Sequence, residues 1–303
     1  MLPTTASMGW AAHLGTVSET SYGVTPSGGV TEGFVFVSEM MRKQAVIVER
    51  EGLRGTRSHV ADDTRQGPYR VMGSVVLEPT PADLAIWLPR ILGGAPAGEI
   101  YPLADALPSF TLAVDRVAAV FTYAGCKVNK AAFQGSKGGL VKLSLEIAGQ
   151  SESVGGPGSY PALSPSTEQG PYIFSGDPTL TLNGVAREVA DFELVVDNRL
   201  ITDRFMNSLT VVNLPEGDRG VTLRTTHAWA TQNADLYDQA LAGAAGSLAF
   251  TNGGSSTAFN FARLQVPAES PTTAGKQEIL LRLNMVARKT GSTLELSVSN
   301  TAA

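Results

Sequence analysis

The sequence predicts a mainly β protein made of two tandem copies of one β-rich unit, each with one short flanking α-helix. Three observations carry this. Residues 109–148 lie over residues 247–286 at a constant offset of 138 without a gap, and the apolar positions coincide along most of the overlap. Phe110 falls on Leu248, Leu112 on Phe250, Phe121 on Phe259, Tyr123 on Phe261, Cys126 on Leu264 and Val128 on Val266; Val141, Leu143, Leu145 and Ile147 fall on Ile279, Leu281, Leu283 and Met285. Identities are few, so the signal is the shared spacing of two, which points side chains to one sheet face. The second observation is length: 303 residues suit about two domains. The third is composition, since 32 glycines and 17 prolines lean toward a turn-rich β protein.

In chain order, residues 1–30 are rich in Gly, Ser, Thr and Pro and read as an N-terminal arm. Gly33 to Val48 carries Phe34, Phe36, Val46 and Val48 at even spacings, as strands do, and residues 49–72 form a polar stretch before a strand at Ser74 to Glu78. A helix follows: Thr80 caps it, Pro81 suits its first position, and Asp83 places a carboxylate near the free N–H groups. Leu84, Trp87, Leu88, Ile91 and Leu92 give one apolar stripe. Pro89 removes a backbone donor and is expected to kink or shorten the helix, and Gly93-Gly94 stops it.

The second unit repeats this order with a strand at Asp191 to Asp197, a polar stretch over 198–219 and a strand at Gly220 to Thr226. Asn233, Asp235, Leu236, Tyr237, Ala240 and Leu241 predict a short capped helix ending at Gly243. The offset drifts from 147 (Leu53 to Leu200) through 146 (Leu77 to Leu223) to 152 (Asp83-Leu84 to Asp235-Leu236), which a few residues of loop insertion explain. Residues 93–108 are replaced by the shorter 242–246. Gly155-Gly156-Pro157-Gly158 and the Ser and Pro around it mark a linker. The expected division is an arm at 1–30, domains at 31–150 and 172–290 joined by a linker at 151–171, and a C-terminal arm at 291–303.

Composition narrows the function. The formal charge is −5 with no run of like charges, and the densest basic stretch, Arg50 to Arg70, is interleaved with Glu51, Asp62 and Asp63. Tight phosphate binding needs clustered Lys and Arg. The single Cys126 excludes an intramolecular disulfide and a Cys-based zinc site; within Phe121-x-Tyr123 it reads as a buried small apolar residue. Residues 1–20 lack a cleavable signal. The longest apolar stretch, around Leu84 to Leu92, is far below the roughly 20 residues of a membrane span. The expectation is a protein made and kept in solution inside a cell, with no membrane partner.

No catalytic equipment is visible. His13, His59 and His227 stand in unrelated contexts without a metal-ligand partner at helical or hairpin spacing. Gly155 to Gly158 and Gly253-Gly254 lack the Lys-Ser/Thr of a phosphate loop and read as turns. Asp62-Asp63 and Asp197 with Asp203 invite a paired-carboxylate or divalent-ion reading, but their loops lack a dense ligand pattern and a solvated loop is the simpler reading. Catalytic, cofactor and metal residues are therefore all expected to be none. The stretch 198–219 is more apolar than a solvated loop should be, with Leu200, Ile201, Phe205, Met206, Leu209, Val211 and Val212. It either packs on its own domain or docks on a neighbouring subunit, where aromatic, Met and Arg residues are favoured.

The chain resembles the tail tube (major tail) proteins of long, non-contractile-tailed bacteriophages. The resemblance is carried by Glu19-Thr20-Ser21-Tyr22-Gly23-Val24-Thr25-Pro26, by Pro79-Thr80-Pro81-Ala82-Asp83-Leu84 through Leu92-Gly93-Gly94, and by Asp191-Phe192-Glu193 through Asn198-Arg199-Leu200. It implies a β-sandwich or partial barrel with a flanking helix, in a virion protein made in the bacterial host cytoplasm. It implies subunits closing into rings that stack into a hollow tube for DNA, with the long early loop and the terminal arms as ring-to-ring contacts. Mapped onto this chain, the candidate contacts are Tyr22, Pro26, Arg54, Arg57, Arg65, Leu200, Arg204, Phe205, Met206 and Leu209. The implied partners are further copies of the chain, tape-measure protein and DNA transiently in the lumen, and tail terminator and tail-tip proteins at the ends.

Most such proteins look like one unit per chain, six chains to a ring. Two units per chain would fill the same places with three chains, a trimeric ring with pseudo-sixfold symmetry. Lys142, Glu146 and Arg282 share the polar face of the final strands, which leaves the lumen-lining face open. Unpaired strand edges and a head-to-tail interface that closes fit such assembly without the family name. The competing readings are a two-domain β adhesin or receptor-binding module, which would need a groove or aromatic platform, and an enzyme on a β scaffold, which would need a clustered acid, base or metal.

Overall fold

The computed structural model describes residues 6–302 except 166–169, 234, 237–241, 267–269 and 274. The fold is mainly strand, 49%, in a large antiparallel sheet system, with one complete helix among the described residues. In the first repeat the order is β1 (His13–Ser18), β2 (Glu32–Phe34), β3 (Ser38–Glu39), β4 (Arg42–Glu49), β5 (Thr64–Leu77), α1 (Pro81–Leu92), β6 (Ile100–Pro102), β7 (Phe110–Asp115), β8 (Val120–Ser136), β9 (Lys142–Gly149) and β10 (Ser151–Gly155). The second repeat follows with β11 (Pro178–Leu182), β12 (Val185–Arg187), β13 (Asp191–Asp197), β14 (Gly220–Ala228), β15 (Ala244–Asn252), β16 (Ser255–Gln265), β17 (Leu280–Ala287) and β18 (Leu296–Thr301).

Each repeat folds its strands into two layers sharing one long strand. The first part of β8 pairs with β7 and β10, its second part with β9. The layers are thus β2-β1-β7-β8-β10 and β4-β5-β9-β8, with β3 beside β5 as well. The ladder bends where Gly125 takes φ 67°, a conformation that suits a residue without Cβ. The second repeat reproduces the layers as β12-β11-β15-β16-β18 and β13-β14-β17-β16.

The offset of 138 holds through the last strands: Lys127 opposite Ala148 recurs as Gln265 opposite Val286. Elsewhere the register corrects the sequence alignment by four residues. Leu112 stands opposite Tyr123 whereas Gly246 stands opposite Phe261, so Gly246, not Phe250, holds the place of Leu112. Leu77 faces Leu143 while His227 faces Leu281, so His227 rather than Leu223 holds the place of Leu77. A slip of four returns every side chain to its own face, and so leaves the period-two pattern intact.

Helix α1 starts as its sequence requires. The Thr80 hydroxyl accepts from the Asp83 N–H and the Asp83 carboxylate accepts from the Thr80 N–H, closing a capping box. Pro89 does not end the helix, which continues to Leu92 and stops at Gly93 with φ 89°. Leu84, Trp87, Leu88, Ile91 and Leu92 are all buried, as the stripe predicts. In the second repeat Asp235 and Leu236 are helical; Tyr237, Ala240 and Leu241, on which the rest of that helix was expected, lie outside the described residues.

Buried apolar residues of both repeats form one continuous cluster. Phe133 of β8 meets Phe259 of β16 with ring centroids 4.8 Å apart, and Phe250 bridges Phe259 and Phe192. At about 1.5–3 kcal/mol for each fully buried large side chain, these rings bind the repeats to each other as well as within themselves. Trp87 and Cys126 are fully buried in the same cluster, and burial raises the pKa of the Cys126 thiol.

Three stretches are more ordered than their composition suggests. β1 lies within residues 1–30 and pairs along its whole length with β7. The polar stretch after Val48 is largely a hairpin, since β5 begins at Thr64 and pairs with β4. Residues 291–303 contain β18, whose Leu296 and Val298 are fully buried.

Candidate assembly surfaces

The two repeats meet strand to strand. β13 pairs with β8 from Asp191 opposite Ser136 to Asp197 opposite Lys130. The inner layers thereby join into one sheet, β4-β5-β9-β8-β13-β14-β17-β16. At the end of β13 the Asn198 side-chain N–H donates to the carbonyls of Ile91 and Val128, each at 3.1 Å. Asn129 answers by accepting from the Leu200 N–H through its side chain and from the Asn198 N–H through its backbone. On the other layer β6 pairs with β18, and the Asn300 amide donates to the Pro81 carbonyl at 3.0 Å. Helix α1 is thus held at both ends by the second repeat.

The stretch 198–219 carries no regular strand and packs on the first repeat of its own chain. Leu200, Val211 and Leu214 are buried with Leu107 and Ala148, flanked by Tyr22, Met72 and Phe205. The Tyr69 N–H donates to the Leu209 carbonyl at 2.9 Å. Glu216 accepts from the Leu107 N–H at 2.8 Å and from the Lys127 ammonium at 2.7 Å. Burial works against the Glu216 charge, but these donors outweigh it and hold its carboxyl below the usual range.

The corresponding stretch of the first repeat is shaped differently. β4 is exposed along its whole length, with Ile47 74% exposed, and pairs only with β5 among the described residues. The loop beyond it is braced by Arg54, whose Nε donates to Asp63 at 2.6 Å and whose terminal nitrogen donates to the Arg50 carbonyl at 2.7 Å. Leu53, beside it, is fully exposed.

The ten contact residues expected from sequence therefore fall in three places. Arg54, Arg57 and Arg65 lie on the β4–β5 hairpin, where Arg57 and Arg65 are exposed. Leu200 is buried and Phe205 half-buried under Arg70, while Arg204, Met206 and Leu209 are exposed on the same loop. Tyr22 reaches that loop from the N-terminal side; burial, with Cys126 and Glu19 nearby, raises its pKa well above the usual range. Pro26 closes a neighbouring turn, accepting from the Gly29 N–H. The backbone next to Tyr22 is held by Glu19, whose carboxylate accepts from Thr111 Oγ1 at 2.7 Å, from the Gly125 N–H at 2.8 Å and from the Gly23 N–H at 2.9 Å.

Sequence reasoning missed Asn129, Asn198, Lys127 and Glu216, which tie the repeats together. An Asn closing a strand is a weak signal by itself, and the Lys127–Glu216 pair spans too much sequence to be read from spacing. The histidines stand apart: His13 is stacked on Tyr160, His59 bonds Glu49, and His227 is buried between Thr225 and the Glu188 carbonyl.

The polar face of the joined sheet is balanced in charge. Across β8, β9, β13, β14 and β17 it carries Lys130, Lys142, Arg224 and Arg282 against Glu146, Asp191, Glu193 and Asp197. Arg224 pairs with Glu193 at 3.0 Å and Lys130 with Glu146 at 3.7 Å.

No curated protein matches the sequence. The sequence model of the phage tail tube protein family matches residues 9–287, which takes in both repeats and nearly every strand described above. The chain belongs to the phage tail tube protein family, and is accordingly a structural, non-enzymatic component of the virion tail.

Proposed function

We propose that this chain forms the tube of a long, non-contractile tail as stacked rings of three chains. Each chain fills two of six places, so the ring is pseudo-hexameric. Residues 31–150 and 172–290, completed by β1 and β10 and by β18 respectively, act as the two tube-type units.

The observation that carries this reading is the β8–β13 junction. Ser38 stands opposite Val76 of β5 as Asp191 stands opposite Thr226 of β14, so β3 and β4 hold in the first repeat the place of β13 in the second. β13 has β8 beyond it; β3 and β4 have no strand there among the described residues. An unpaired edge is a template for another chain. Joining it to the edge of β17 in the next protomer, which among the described residues pairs with β16 only at Val286 and Ala287, extends the sheet from chain to chain as the β8–β13 junction extends it within the chain, and such a head-to-tail contact closes into a ring.

In this ring the polar face of the joined sheet lines the lumen. Its opposed charges suit a conduit, because a cationic wall would hold DNA phosphates. The exposed Arg57, Arg65, Arg204, Met206 and Leu209 serve contacts between rings, and Tyr22, Pro26, Arg54, Leu200 and Phe205 shape those surfaces. Tape-measure protein and DNA occupy the lumen in turn, and tail terminator and tail-tip proteins close the ends. Negative-stain microscopy of the purified chain tests the reading: it predicts stacked rings with a hollow centre, and persistent monomers under all assembly conditions would overturn it.

A further inference from the structure

The segment leading into each repeat meets a different fate. Before β11, Ile173 bridges to Leu140 in the β8–β9 turn. The Tyr172 carbonyl accepts from the Val141 N–H at 2.9 Å, and the Phe174 N–H donates to the Gly139 carbonyl at 3.0 Å. Phe174 is buried there, its ring 5.9 Å from that of Phe192. The lead-in of the second repeat is thus stitched onto the end of the first.

Before β1 the same segment is bare. β1 and β11 are counterparts: Leu14 stands between Phe34 and Val114 as Leu180 stands between Arg187 and Leu248. Each follows a tight turn, closed by the Ala11 N–H on the Met8 carbonyl and by the Asp177 N–H on the Ile173 carbonyl. The chain also returns alike, with Val37 N–H donating to Val76 and Ala190 N–H to Thr226, both at 2.8 Å. Yet Met8 is 54%, Trp10 85%, Val35 68% and Val37 53% exposed. An ordered Trp exposed among such neighbours marks a contact surface.

The cavities differ in their walls. A groove of about 550 Å³ runs between Trp10, His13 and Phe34–Val37 and is also lined by Tyr160, Leu163 and Pro165 of the same chain. Its counterpart in the second repeat, about 710 Å³, runs between Ser175, Thr179 and Arg187–Ala190 and also has Lys137 of the β8–β9 turn on its wall. By the offset of 138, Leu140 and Val141 of that turn fall on Glu278 and Ile279. Those residues lead into β17, where Gln277, Glu278, Leu280 and Leu281 line a groove of about 430 Å³.

We propose that the segment Ser7–Ala12, led by Trp10, docks on residues 277–281, at the start of β17, of a second copy of this chain. Ser7 takes against Glu278 the place that Ile173 takes against Leu140. The contact lies side by side within a ring and rests on the open-edge reading above.

The test is the full-length double variant Ser7→Cys/Glu278→Cys, oxidised after assembly and run on a non-reducing gel; the native Cys126 is buried and out of reach. The expected result is loss of the monomer band to interchain dimers and larger species, absent from either single variant. Tubes that form without interchain cross-links would overturn the docking while leaving the ring reading intact. Cross-linked dimers without tubes would support the docking and count against the ring. Monomers with neither cross-links nor tubes would overturn both.

Discussion

The side-chain amide of Asn198 donates to the Ile91 carbonyl at 3.1 Å, so a residue at the end of a second-repeat strand holds the last turn of the first-repeat helix. The same amide reaches Val128 in β8, and the group is almost wholly buried. One side chain thus couples the helix, the shared strand and the junction between repeats. Asn198→Ala leaves two carbonyls short of a donor in a buried place, which costs about 1–3 kcal/mol for each unsatisfied group at the upper end. The expected outcome is a lower denaturant midpoint with an unchanged slope. An unchanged midpoint would mean that the junction does not depend on this residue.

At the other end of the same helix, Thr80→Ala removes the side-chain acceptor of the Asp83 N–H. Loss of such a cap costs about 1 kcal/mol, and Thr80→Ser should restore most of it. Thermal melting of the two variants beside the parent checks the assignment, with a parent-like Thr80→Ala melt as the contrary result.

Acid should weaken the fold in two windows. Burial lowers the His227 pKa from 6.5, so the unfolded chain takes up this proton first and stability falls as pH drops below about 6.5. The Glu216 pKa is held below 4.5; its contribution is complete above that value and is lost as pH falls further, through the folded pKa. His227→Leu, which places in β14 the residue that Leu77 supplies in β5, should flatten the upper window, and Glu216→Gln the lower one. Melting temperatures recorded from pH 8 to pH 3 on the order of one unit apart would separate the two, and a parent-like profile in either variant would contradict its assignment.

The β4 edge can be challenged without touching the core. Ile47→Lys changes an exposed side chain on a strand paired on one side, and surface changes of this kind shift stability by about 0.5 kcal/mol or less. Its melting curve should match the parent while sedimentation shows tube assembly lost or shortened. Full-length tubes at parental yield would argue that this edge stays free.

Much of this was legible in the chain. The apolar stripe of α1, its cap, the strand at Asp191–Asp197 and the correspondence of β9 with β17 all follow from spacing and end residues. The four-residue slips at β7 and β14 were hidden because an even shift preserves the inward and outward faces. β1 was masked by its polar interior: Thr16 is fully buried, but it accepts from Arg90, which is itself buried against Glu32. A consequence follows for truncation. Deleting residues 1–30 removes a paired strand and two partners of Arg90, Thr16 and Ser18, leaving only Glu32 against the buried guanidinium, so it should abolish folding. The arm's contribution is tested by changes before His13.

The loop at 198–219 shows the other limit. Its apolar content fitted both self-packing and docking on a neighbour, and the structure places it on the other repeat of the same chain. In a duplicated chain these two alternatives become the same geometry, one within the molecule and one between molecules. No local pattern distinguishes them.

The asymmetry between junctions offers the decisive observation. The intrachain junction carries the β6–β18 pairing, whereas the second repeat has only residues 242–246 where the first has 93–108. A cross-section of assembled tubes by cryo-electron microscopy should therefore show three chains per ring, with six similar places and a strand pairing present at every second junction. Six full-length chains around one ring would contradict it.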